Sequence, residues 1–230
     1  MRIDNEIKKK VTEDWLKNFT QISAFTQNKL YKVVGPCIIG IELIKSPFSD
    51  DYSPYFVIYS LWKDNAKTCL SRPIVMVRLR NNKGLQFDIP YLNHSSYFNE
   101  ATDCFRKQIP ISLSGDVTLK SLFAFLDSLF GEILIKSNSA EQAKLFEFEL
   151  YAALYVGSQI QIQNVLIKIQ QVSKSWNMQM FETWYGSYNL WLQNLQKTTT
   201  NREQFLKQIE INKMNKKISK LQSSKLSMTV

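Results

Sequence analysis

The stretch 30–86 constrains the fold more than any other part of this chain. It holds short runs of β-branched and aromatic residues that alternate between two faces, with turn residues between them. The runs are 30–34, Cys37–Lys45, 54–62, 73–80 and 85–89. Gly35-Pro36 separates the first two, and Asn81-Asn82-Lys83-Gly84 the last two. Both are turn chemistry, since Asn and Gly tolerate positive φ. In the second run Ile39, Ile41 and Leu43 share one face, and Ile38, Gly40, Glu42 and Ile44 share the other. Apolar residues on both faces describe a central strand covered on both sides, with Gly40 marking a bulge or a close backbone approach. Connections this short join antiparallel neighbours. The expectation is an antiparallel sheet of four to five strands, not a doubly wound nucleotide-binding sheet.

Helical spacing dominates the flanks. Ile7, Val11, Trp15 and Phe19 recur every four residues and predict a helix over 6–19, followed by a polar connection over 20–29. A second helix is expected over 91–108, stopped by Pro110, and a third over Leu119–Phe130 with Thr118 as N-cap. Residues 132–136 fit either an extension of that helix or a short strand. Beyond Ser137-Asn138-Ser139 the pattern is helical: 140–156, broken at Gly157-Ser158, a helix from 159 carrying Ile162, Val165, Leu166, Ile169, Val172 and Trp176 on one face, 178–195, and 202–221. A polar break is expected at 197–201 and disorder over 223–230. The fold class is therefore α+β: an N-terminal helix, the antiparallel sheet, then a mostly helical C-terminal half. The expected division is an α+β domain over 1–136 and a helical region with a basic tail over 137–230, which can also pack as one domain with the first.

Charge is unevenly placed. The chain carries a net +9, and from Lys197 onward eight basic residues stand against Glu203 and Glu210, so six of the nine charges belong to the tail. Lys213, Lys216, Lys217 and Lys220 are the candidate phosphate contacts there, and nucleic acid is a possible partner through that tail. No aromatic residue follows Phe205, so base stacking by the tail is not supported. The three cysteines, Cys37, Cys69 and Cys104, lack metal-ligand spacing and read as free thiols of a reducing compartment. The start of the chain lacks the apolar core of a signal peptide, and no apolar run approaches the roughly 20 residues of a membrane span. A soluble, cytoplasmic protein is expected.

Specific chemistries find little support. His94 is the single histidine, so a multi-histidine metal site within one chain is excluded. No serine sits in a Gly-x-Ser-x-Gly elbow, and the seven glycines match no phosphate-binding loop. Glu6-Ile7-Lys8 is the one acidic-x-Lys triplet, and it precedes every strand, which argues against a metal-dependent nuclease arrangement. Asp50 and Asp51 are adjacent in a loop and suit a cation. Glu42 with Glu100 or Asp103 supplies carboxylates of no telling spacing.

The aromatic residues Tyr52, Tyr55, Trp62 and Tyr97, placed near loops and strand ends, are the candidate interaction residues. The expectation is a non-catalytic protein–protein interaction module, without cofactor, that binds another protein or itself. The alternatives are a nucleic-acid-associated accessory protein using the basic tail, and an enzyme whose carboxylates, Glu42, Asp50 or Asp51, or whose His94, converge in a site.

Overall fold

A computed structural model describes residues 4–228. Helix α1 (Asn5–Asn18) is capped by Asp4, whose side chain accepts the N–H of Glu6. It leads into β1 (Ser23–Thr26), β2 (Lys29–Val34), β3 (Cys37–Lys45) and β4 (Asp51–Ser60). A short helix, α2 (Ala66–Cys69), precedes β5 (Val75–Arg78) and a two-residue strand, β6 (Ile89–Pro90). Then come α3 (His94–Gln108), β7 (Val117–Thr118), α4 (Leu119–Phe130) and α5 (Ile133–Lys136). The helical half continues with α6 (Ser139–Val156), α7 (Gln159–Val172), α8 (Met178–Tyr185), α9 (Tyr188–Thr200) and α10 (Arg202–Lys213). Two short strands, β8 (Ser223–Ser224) and β9 (Leu226–Ser227), end the described chain.

The sheet order is β1-β2-β3-β4-β5, antiparallel throughout, with β6 pairing on β4 and β8 on β2. The fold is α+β, as the alternation implies. Gly40 stands opposite Tyr31, and a Cβ there would lie 1.9 Å from the carbonyl oxygen of Leu30. A close approach of β2 to β3 is therefore what this glycine permits. Pro54 lies inside β4, where its carbonyl takes the N–H of Leu79 at 3.0 Å. The β5 end closes with the expected turn: Gly84 has φ +76, and Asn81 Oδ1 accepts the N–H groups of Lys83 and Leu85.

One sheet face, built on Ile39, Ile41 and Phe56, is covered by α1, α3 and α4. Phe56 meets Phe105 and Phe125 edge-on, and Trp15 packs against Phe19, Phe98 and Phe105. Lys32 is buried on this face and donates to the carbonyls of Leu113 (3.3 Å) and Gly115 (2.7 Å). On the opposite face Glu42 Oε1 accepts from Tyr31, from Tyr59 at 2.6 Å and from Lys29 at 3.1 Å. Burying a carboxylate in a sheet is tolerable because donors saturate it. At the end of β4, Trp62 stacks on Phe148 and meets Tyr151 and Phe205, so residues on either side of position 136 share one continuous core.

Several expectations change. The connection over 20–29 contains β1, because Phe25 packs on Tyr31 and an edge strand needs little else. The run 85–89 does not form a strand: a single bridge joins Arg80 to Gln86, and β6 pairs with β4 instead. The polar 197–200 stays helical as the end of α9, while α10 stops at Lys213 rather than near 221. The segment expected to be disordered is ordered through 228 by β8, parallel to β2, and by β9, parallel to β7; 229–230 lie outside the described residues. Residues 132–136, left between two readings, include the short helix α5.

Candidate functional site

The helix expected over 178–195 is two helices. Gly186 has φ +72, a left-handed value that an L side chain rarely adopts, and it breaks the axis between α8 and α9. The break folds α9 back so that Phe181, Tyr185, Tyr188 and Trp191 close on one another and on Trp176. Two indole N–H groups anchor this aromatic layer to α6: Trp191 donates to Glu147 Oε1 at 2.6 Å, and Trp176 donates to Gln142 Oε1 at 2.7 Å. Burial pushes the Glu147 carboxyl up to about 7, with the Trp191 N–H, Lys63 and Lys144 pulling it down.

With its neighbours turned inward, Trp184 is left outside, 70% exposed. Met180, one turn earlier on α8, is exposed beside it in helical register, and Leu190 is exposed on α9. On α7, Ile160 and Ile167 recur at seven residues and are both exposed. Between 157 and 200 the charged residues are Lys168, Lys174, Glu182 and Lys197. Lys168 is engaged by Asp127 and by Glu149 (3.2 Å). The α7–α9 layer thus combines exposed large apolar side chains with a very low density of charge. Depletion of charge together with Trp, Tyr and Met is the composition of interface cores.

The candidate interaction residues lie elsewhere. Tyr52 is fully buried: its hydroxyl takes the Trp15 indole N–H at 3.3 Å and meets His94 Nδ1 at 2.8 Å. It is a core residue, not a rim one, because β4 begins at Asp51 and carries Tyr52 under α1. Tyr55 is half-buried beneath the Arg78 guanidinium, and Trp62 is half-buried in the aromatic core. Tyr97 is exposed on α3, edge-on to Phe87. The structure does not bring these four together.

Of the candidate phosphate contacts, Lys213 is tied to Glu210 at 2.8 Å and lies over the Tyr155 ring. Lys216, Lys217 and Lys220 are exposed, with Lys217 above the Phe25 ring. The carboxylates do not converge. Glu42 is saturated on one sheet face while His94 packs against Tyr52 on the other, Asp50 pairs with Lys45 at 3.5 Å, and Asp51 accepts from Ser49. Among the described residues no group of three or more His, Cys, Asp or Glu is placed to hold a metal ion, and no helix is long and apolar enough to cross a membrane.

The sequence carried one signal for the α7–α9 layer that the helical wheel concealed. The helix expected over 178–195 presumes an unbroken axis, and Gly186, at φ +72, is the residue to weigh. No family model matches the chain, and neither a curated protein nor a solved structure is similar to it.

Proposed function

We propose that this chain is a non-catalytic interaction module that binds another protein through the α7–α9 layer. The observation that carries this reading is Trp184, exposed with Met180 one turn away on α8, in a segment, 157–200, whose charged residues are Lys168, Lys174, Glu182 and Lys197. Tryptophan supplies a disproportionate share of the energy of protein interfaces, with truncation of such a residue costing about 2 kcal/mol or more. A surface with few charges favours a partner whose own contact face is apolar and weakly charged, because a charged face would be desolvated there without compensation. The buried, unpaired thiols fit a reducing, cytoplasmic setting.

The test compares the wild-type protein with the double variant Trp184→Ser, Met180→Ser as bait in affinity capture. Circular dichroism confirms that both are folded. A partner retained by the wild type, lost by the variant, and able in purified form to shift the tryptophan emission of the wild type to the blue supports the reading. Equal capture by both proteins overturns it. Concentration-dependent dimerisation abolished by the same variant would make a second copy of the chain the occupant and overturn the choice of a different protein.

A further inference from the structure

We infer that the C-terminal strap is a sequence-independent binding surface for the phosphate backbone of nucleic acid, a property separate from the α7–α9 layer. Two stretches without any acidic residue meet there. One runs from Trp15 to Ile41, and the other from Ile211 to Met228 with Lys213, Lys216, Lys217, Lys220 and Lys225. The second is laid on the first. The Gln222 side-chain amide donates to the carbonyl of Thr20 at 3.0 Å, its backbone N–H donates to Ser23 Oγ at 3.1 Å, and its carbonyl accepts the N–H of Val33 at 2.9 Å. β8 then pairs with β2 at Val33 and Val34. The lysines that sequence would leave on a loose tail are thus held on the sheet edge, where no carboxylate of β1 or β2 faces them.

The strap also sorts its side chains. Ile218, Leu221 and Leu226 are buried, and every exposed residue from 215 to 225 is Asn, Lys, Ser or Gln. Between 215 and 225 the surface offers charge and hydrogen-bond donors but no apolar group, the exposed Met214 and Met228 standing outside that window at either end, and the lysine-bearing part fits polyphosphate better than a bilayer. Lys216, Lys217, Lys220 and Lys225 carry no ion pair among the described residues. The nearest acidic groups are already used: Glu210 holds Lys213, Asp116 takes the backbone N–H of Lys225 at 2.8 Å, and Glu42 is buried under Tyr31, Tyr59 and Lys29. The two aromatic rings beside the strap, Tyr155 and Phe25, have Lys213 and Lys217 over them, at 5.3 and 5.7 Å from the ring centres. Base stacking is therefore not offered, and contact is confined to phosphates, which position a nucleic acid without reading its sequence.

Fluorescence anisotropy of labelled single-stranded RNA of roughly 20 nucleotides, titrated with the full chain at about 50 to 200 mM salt, tests this. Four lysine contacts predict a log–log salt slope of about −3 for single strands. Lys216→Gln, Lys217→Gln, Lys220→Gln together should weaken binding about 100-fold near 0.1 M salt and cut the slope by about 2. The same three positions changed to Arg should retain binding, which separates loss of charge from loss of fold. Unchanged affinity of the Gln variant overturns the inference, as does absence of binding at the lowest salt. Binding to phosphatidylserine vesicles without binding to RNA overturns it in favour of a membrane surface.

Discussion

The hydroxyl of Tyr52 lies 2.8 Å from Nδ1 of His94, and Nε2 of the same ring faces Asp14 Oδ2 at 3.4 Å. Because the Trp15 indole donates to the Tyr52 oxygen, the phenol proton is directed at Nδ1, and the imidazole proton sits on Nε2 toward Asp14. The order Asp, His, hydroxyl has the form of an acid–base relay. Its setting is that of a strut: Tyr52 and His94 are buried, burial raises the phenol and lowers the imidazole from their ordinary pKa values, and the chain of groups ties α1 to β4 and α3. Tyr52→Phe would leave Nδ1 without its donor in the core. The expected cost is about 1–3 kcal/mol, read from urea denaturation, with secondary structure unchanged. A loss below about 0.5 kcal/mol would show that the network contributes nothing.

Glu149 is 1% exposed on α6, and burial raises its carboxyl from 4.5 to about 7 although Lys168 at 3.2 Å pulls it down. The unfolded chain releases this proton near 4.5, and the folded chain keeps it to about 7. The contribution to stability is therefore complete below 4.5 and is lost as pH rises through about 7, by an amount on the order of 3 kcal/mol. Glu149→Gln removes that proton. Urea midpoints at about pH 5 and 8 should fall more in the wild type than in the variant. An equal fall in both would mean that Glu149 is ionised across the range.

Two glycines separate two kinds of cost. At Gly186 a Cβ would meet open space, so Gly186→Ala pays for backbone conformation alone, about 1–3 kcal/mol. At Gly40 the Cβ would collide with the Leu30 carbonyl at 1.9 Å, and the β2–β3 pairing must open to admit it. Gly40→Ala should lose more than about 3 kcal/mol or fail to give soluble protein. Chemical denaturation of the two variants ranks them, and the reverse order would contradict the register.

The thiols of Cys37, Cys69 and Cys104 are free and buried, and burial raises each of them, Cys37 to about 12. Thiolate is the reactive form, so the native protein should be inert to Ellman's reagent at about pH 8 while all three react in denaturant. Rapid labelling of a native thiol would show that the core opens locally.

By itself the sequence determined the central strands β2 to β5 and the starts of helices such as α4, α7 and α10. Alternation along Cys37–Lys45 and the turns at Gly35-Pro36 and Asn81 to Gly84 are local chemistry, and so is Thr118 as a cap that accepts the N–H of Ser121. Such features are written within a few residues of where they act. The tertiary structure decided which side chains reach the surface. Tyr52 is buried because α1 and α3 cover its end of β4, Trp184 is exposed because α8 turns Phe181 and Tyr185 to the core instead, and Ser223 and Ser224 are strand because β2 offers them an unpaired edge. Burial and edge pairing depend on contacts between residues as far apart as Val33 and Ser223, and no period along the chain encodes those distances.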